Sequence, residues 1–182
     1  MERLIAFGIL SLPITILSRR TLFNVKCHGF YLFFSWECIL CLLVSNISYW
    51  FDHPFKIPQL ISWTFLFFSV YLVTTGVIQL KKGSKSDERS GEKTLYQFEK
   101  TSELIEKGIY KQIRHPLYSS LLFLTWGIFL KQTTAFLLFV SMIATIFLFL
   151  TAIFDEKECT LYFGDQYKEY MKRTKRFIPF VF

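Results

Sequence analysis

A chain of 182 residues that is 52% hydrophobic, holds 22 Phe and still carries a formal charge of +7 has too many long apolar runs for a water-soluble domain of its size. Its basic residues stand beside those runs, the pattern of a cytoplasmic membrane surface and not of a nucleic-acid groove. Four cysteines give no disulfide framework, and the CxxC pair Cys38 and Cys41 lies inside an apolar run, where it reads as packing.

In chain order, residues 4–17 make a short first span that contains Pro13. Ser18-Arg19-Arg20 follows in place of a small-residue cleavage site, so this span is expected to be retained rather than removed as a signal peptide. Residues 29–50, 60–80 and 134–154 each approach the ~20 apolar residues that cross ~30 Å of hydrocarbon. Residues 116–130 give a shorter fourth span, joined to the fifth by Lys131-Gln132-Thr133. Between the third and fourth spans, residues 81–93 are rich in Gly, Ser and charge and are expected to be mobile. Residues 94–107 set Leu95, Phe98, Leu104 and Ile105 among charges and are expected to lie over a site as a lid. Residues 155–174 place Thr160, Phe163, Tyr167, Tyr170 and Thr174 at three- and four-residue steps, one face of an amphipathic helix.

The expected fold is all-α. It is a single domain over residues 1–182, an integral membrane bundle of five transmembrane helices with a C-terminal amphipathic helix on the cytoplasmic side. Orientation follows from charge. Arg19, Arg20 and Lys26, the long loop, and Lys168, Lys172, Arg173, Lys175 and Arg176 fall on one side, with only Arg3, Lys56 and Lys131 on the other. The rich side is cytoplasmic, so the N-terminus is expected outside and the C-terminus inside.

The chemistry gathers at the mouth of the fourth span, where Gly108-Ile109-Tyr110-Lys111-Gln112-Ile113-Arg114-His115-Pro116 runs into Leu117-Tyr118. Pro116 suits the first turn of a helix, and it holds His115 extended. A helix start there offers free N–H groups and partial positive charge, and Arg114 adds a fixed cation. At the end of the fifth span stands Asp155-Glu156-Lys157-Glu158. Because spans four and five form a hairpin, this acidic cluster is expected to return to the depth of Arg114 and His115. Glu37, beside Trp36 in span two, is either a functional membrane carboxylate or one bonded between helices. His28 and His53 are expected at the membrane interface.

The string from Gly108 to Tyr118, then Asp155-Glu156, then Phe163-Gly164-Asp165-Gln166-Tyr167-Lys168-Glu169-Tyr170, then Arg176-Phe177-Ile178-Pro179, resembles the isoprenylcysteine carboxyl methyltransferase family, which belongs with the phospholipid methyltransferases. The resemblance covers residues 97–179. It implies methyl transfer from S-adenosylmethionine at the cytoplasmic face of a helical bundle. By resemblance, Tyr110, His115, Pro116, Leu117 and Tyr118 contact the cofactor, Leu104 and Ile105 cover it, and Gln97 corresponds to a family Gln at shorter spacing. Asp155 and Glu156 stand where the family has an acidic pair that binds the cofactor's amino or ribose groups. Three departures matter: Thr151 in place of an Arg thought to meet a prenylcysteine carboxylate, Ser120 in place of a Gly, and Cys159 in place of a Leu. The first speaks against prenylcysteine as the substrate.

Catalytic roles fall to Arg114, as an electrostatic clamp, and to Glu156, with His115, as a base where the acceptor needs one. A carboxylate acceptor is already ionised near neutral pH and needs none. The expected partners are a lipophilic small molecule or lipid as acceptor and the surrounding membrane lipids, with no metal, no nucleic acid and no obligate protein. The expected location is a bacterial inner membrane. Two other readings remain open at this point: a nicotinamide-dependent reductase resembling the sterol reductases, and a non-catalytic membrane protein.

Overall fold

The computed structural model describes residues 1–83 and 103–179. Gln97 and most of the expected lid lie outside the described residues, as does nearly all of the segment 81–93. The described chain is all-α. Six helices, α1 (Glu2–Ser18), α2 (His28–Asn46), α3 (Ile57–Gly83), α4 (Pro116–Phe129), α5 (Ala135–Phe163) and α6 (Asp165–Arg173), are joined with two short 3-10 turns at Ile47–Tyr49 and Gly108–Lys111. Among the described residues, three segments are long and apolar enough to cross a membrane: His28–Tyr49, Ile57–Lys82 and Ala135–Phe163. The α4 helix is apolar but has only 14 residues, and α1 has 17. Apolar side chains point outward from α1, α3 and α5, among them Ile9, Phe67, Val70, Phe139 and Ile146. Lipid suits such a surface better than water.

Local chemistry sets the ends. Pro116 opens α4 as expected, with His115 before it outside helical geometry. Thr134 caps α5, its hydroxyl accepting from the Leu137 N–H at 3.2 Å. The turn between α4 and α5 is anchored by Lys131, whose Nζ lies 3.8 Å from the Trp63 ring centroid and 5.2 Å from that of Trp50. The same ammonium donates to Gln59 Oε1 at 3.0 Å.

In the packing, α3 runs along α4, α2 along α5, and α1 against α2. Membrane helices gain little from the hydrophobic effect, so close contact and polar bonds must join them. A Cβ on Gly127 would meet the Leu66 side chain at 3.0 Å, and one on Gly76 would meet Leu117 at 3.0 Å. Buried hydroxyls then reach across the α3–α4 seam, Ser62 to the Gly127 carbonyl at 2.7 Å and Ser69 to the Ser120 carbonyl at 2.8 Å. Asn46 donates from the end of α2 to the Ile128 carbonyl at 2.9 Å.

The tail departs from the expected single helix over residues 155–174. The α5 helix continues past the apolar run to Phe163, and the chain turns at Gly164 before α6. Gly164 has φ 61° and ψ −134°, a backbone conformation that residues with a side chain rarely adopt. The turn lets α6 fold back with Tyr167 and Tyr170 buried while Lys168 and Lys172 stay exposed. Open space surrounds the position where a Cβ would sit, so Gly164→Ala tests the backbone alone. Its thermal unfolding midpoint in detergent should fall, at a cost of about 1–3 kcal/mol. An unchanged midpoint would show that the turn is not held in this conformation.

Candidate active site

The approach to α4 is a short extended segment that pairs with the returning tail. The Arg114 N–H donates to the Lys175 carbonyl at 2.8 Å, His115 N–H to the Arg176 carbonyl at 3.2 Å, and Lys175 N–H to the Gln112 carbonyl at 3.0 Å. The Ser119 hydroxyl, one turn into α4, donates to the Phe177 carbonyl at 2.8 Å. Upstream, the Ile109 N–H donates to Gln79 Oε1 of α3 at 3.1 Å. Gly108 beside it has φ 60°, and a Cβ there would lie 2.0 Å from the Gln79 amide nitrogen. Tyr170 donates its phenol to the Tyr110 carbonyl at 2.6 Å. Burial pushes that phenol's pKa up, which keeps it a donor.

The two clusters that the hairpin was expected to bring together do meet. His115 Nδ1 lies 3.3 Å from Asp155 Oδ2, and its Nε2 lies 3.3 Å from Glu156 Oε1. Glu156 accepts from Arg114 Nε at 2.9 Å, from Arg176 Nε at 3.0 Å, and from Arg176 Nη2 at 2.7 Å. Arg114 also donates to the Met171 carbonyl at 3.1 Å and to the Thr174 carbonyl. Its guanidinium thus ties α5 to the end of α6. Arg176, in turn, has its pKa raised by the Glu156 carboxylate.

A cavity opens beside this cluster, with about 760 Å³ of empty space that is partly continuous with solvent. Eight of its wall residues, Leu104, Ile105, Tyr110, His115, Pro116, Leu117, Tyr118 and Asp155, are those assigned to the cofactor from the sequence, and Arg114 joins them. Glu156 is not in the wall; it stands behind it, only 8% exposed. The sequence reading did not assign Leu80, Glu158, Cys159, Phe163, Tyr167 or Tyr170 to the site, yet all six line it. The signal was present in part, because Phe163, Tyr167 and Tyr170 had been placed on one helix face. The His115 and Tyr118 rings stack at 5.3 Å between centroids, making a flat edge to the wall.

Other singled-out residues fall elsewhere. Glu37 accepts from Ser11 of α1 at 2.9 Å and does not reach the cavity. Thr151 is fully buried, and its hydroxyl donates to the Phe147 carbonyl. His53 is exposed at φ 45°. His28 lies at the first residue of the span His28–Tyr49 and is 0% exposed, with Nδ1 2.8 Å from Glu158 Oε2 and its backbone N–H donating to Glu158 Oε1 at 2.8 Å. Its place at the first turn of α2 turns the ring into the bundle, where the α5 carboxylate receives it.

Together these features define a multi-pass integral membrane protein with a cavity walled by carboxylates, aromatic rings and aliphatic side chains at one end of its bundle. The chain belongs to the phospholipid methyltransferase family, whose profile matches residues 64–166. Methyltransferases of that family use S-adenosylmethionine. A 71-residue stretch is 32% identical to methanethiol S-methyltransferase 1 of Bradyrhizobium diazoefficiens; it covers 39% of this chain and 24% of that protein. The chain therefore aligns with about a quarter of the length of that curated relative. No solved structure matches.

The His115 cluster also carries a pH dependence. Burial alone would lower the imidazole pKa, but the Asp155 and Glu156 carboxylates outweigh it and raise it above 6.5. A raised folded-state value means that this contribution to stability is complete below pH 6.5 and is lost as pH climbs through the higher folded value. Thermal midpoints measured across that range should decline with rising pH, and His115→Gln should flatten the decline. A His115→Gln profile parallel to that of the unaltered protein would refute the pairing.

Proposed function

We propose that this chain transfers a methyl group from S-adenosylmethionine to a lipophilic nucleophile at the cytoplasmic membrane face. The observation that carries the reading is the convergence of the α4 entrance and the α5 acidic turn on one cavity. The donor set fits the cofactor. Asp155 offers a carboxylate to its amino or ribose groups, and Tyr118 and Phe163 offer ring faces to its base.

The bound cofactor would supply an electrophilic methyl group on a sulfonium. The chain's own residues bind, orient and exclude water. Leu104, Ile105 and Leu117 give an apolar cover, which favours a reaction that disperses the positive charge of a sulfonium. His115, clasped between Asp155 and Glu156, fixes Asp155 in the wall. Fixing the partners in line supplies much of the rate in such a displacement, up to ~7–11 kcal/mol for well-oriented groups.

Arg114 and Glu156 take positioning roles in this reading. Both oxygens of Glu156 are held by guanidinium groups, which suits holding the wall together better than accepting a proton. With Thr151 in the position of the family's Arg and Arg114 engaged by the protein, the described wall of the cavity offers a carboxylate acceptor no spare Lys or Arg. That favours an amine, thiol or other nucleophile that carries no negative charge in its resting form. Similarity to the methanethiol S-methyltransferase of Bradyrhizobium makes a small thiol a second acceptor class beside lipids. Five spans, a cytoplasmic C-terminus and one domain over 1–182 complete the reading.

Calorimetric titration of the detergent-purified protein with S-adenosylhomocysteine should give saturable binding, and Asp155→Asn should weaken it about tenfold or more, near 1.4 kcal/mol. Reduced nicotinamide dinucleotide phosphate should give no heat. Absence of adenosyl binding, or binding of the nicotinamide instead, would overturn the reading. Incubation with methyl-labelled cofactor and either lipid extract or small thiols then identifies the acceptor from the labelled product.

A further inference from the structure

Where the segment before α2 meets α5, three different donor types converge from positions some 130 residues apart. Cys27 is 3% exposed and His28 is 0% exposed, while Glu158 reaches them from α5. Donor atoms of all three lie within 4.8 Å of one another. The backbone that presents them is tightly held: a Cβ on the next residue, Gly29, would meet Thr21 Cγ2 at 2.7 Å.

We propose that Cys27, His28 and Glu158 form a binding site for a zinc-class divalent transition-metal ion. A thiolate with an imidazole selects this class over magnesium or calcium, which take oxygen donors. Charge favours it as well. One thiolate, one carboxylate and a dication sum to zero, with His28 neutral, so the filled site places no net charge in the bundle. Three protein ligands leave a fourth tetrahedral position open.

Binding replaces protons by the ion. The thiol proton leaves to solvent, and the proton between His28 Nδ1 and Glu158 passes to Nε2, so that Nδ1 binds the metal while the ring stays neutral. Two ligands on one tetrahedral ion stand about 3.3 Å apart at metal distances near 2.0–2.1 Å. The 2.8 Å contact therefore opens by about half an ångström, a small rotation for a Glu158 side chain that is 25% exposed. A structural clamp between α2 and α5 needs only the His28–Glu158 pair; it does not account for the buried thiol beside them. Glu158 also lines the cavity, so an ion here would touch its wall without depending on what the cavity binds.

Cobalt tests this without reference to turnover. The full chain in detergent, kept reduced by a phosphine, is titrated with cobalt(II) chloride. The expected result is saturation at one equivalent with a thiolate-to-cobalt charge-transfer absorption, displaced by zinc chloride. Cys27→Ser should abolish the absorption, and Glu158→Gln, which keeps the thiol, should weaken affinity at least about tenfold. No such absorption at millimolar cobalt, its persistence in Cys27→Ser through another cysteine, or unchanged affinity in Glu158→Gln would each overturn the proposal.

Discussion

The Glu156 carboxylate is the joint on which the rest of the site depends. It sits behind the cavity and binds two chain segments to α5 at once: the approach to α4 through Arg114 and His115, and the returning tail through Arg176. A buried charge is costly unless paired, and here two guanidinium groups and an imidazole surround it. Arg is better suited than Lys to this job, because its planar fork can hold a carboxylate and carbonyls together. Arg114 uses that fork to reach the carbonyls at the end of α6 as well. The His115 ring is thereby fixed between Glu156 and Asp155, and Asp155 is fixed in the wall. The wall's polarity thus rests on a pairing that lies outside the wall.

Helix lengths explain why this joint forms at that depth. At 1.5 Å per residue, α5 is about 43 Å long, well beyond the ~30 Å of hydrocarbon. Asp155 stands about 30 Å along it from Ala135, so the acidic turn falls near the boundary and the last turns project past it. The α4 helix, with 14 residues, is only about 21 Å long. Its polar entrance is sheltered by protein: His115, Tyr118, Ser119 and Ser120 are all buried. Irregular backbone near a membrane is tolerated when protein or a cavity covers it, and the extended residues before α4 bond to the tail strand 175–176. The short helix and the long helix are complementary, since the difference in length is where the extended segment, the tail and the cavity fit.

Much of this was legible from pattern alone. The apolar runs marked α2, α3 and α5, Pro116 marked the start of α4 to the residue, and the hairpin argument brought His115 to Asp155 and Glu156. Hydropathy could not show that α5 runs on to Phe163, because the apolar signal stops at Phe154 while helical geometry continues through charged residues. The break at Gly164 has a left-handed φ that composition does not reveal. The backbone partners of Arg114 were hidden from pattern for a related reason. A cation beside a membrane mouth reads as a ligand clamp, but its carbonyl partners come from residues 171 and 174, and no local pattern announces backbone oxygens. His28 stands at a span end as expected, but pattern alone does not say whether such a residue faces outward or into the bundle. Only its partner, 130 residues away, reveals that it is buried.

The family match ends at residue 166, and yet the site does not. Tyr170 holds the Tyr110 carbonyl, Thr174 and Met171 hold Arg114, Arg176 holds Glu156, and Phe177 accepts from Ser119. Each contact lies beyond the matched stretch, and each fixes a residue within it. The tail also makes the parallel backbone bridge between Ile113 and Lys175 that sets the register of the α4 approach. A register error of one residue would carry Arg114 and His115 away from the Glu156 oxygen that both now reach. The matched segment therefore supplies most of the wall's chemical groups, while the tail outside it holds several of them in place. That division explains how a stretch as short as 174–177 constrains the site as firmly as the motif that first drew attention to it.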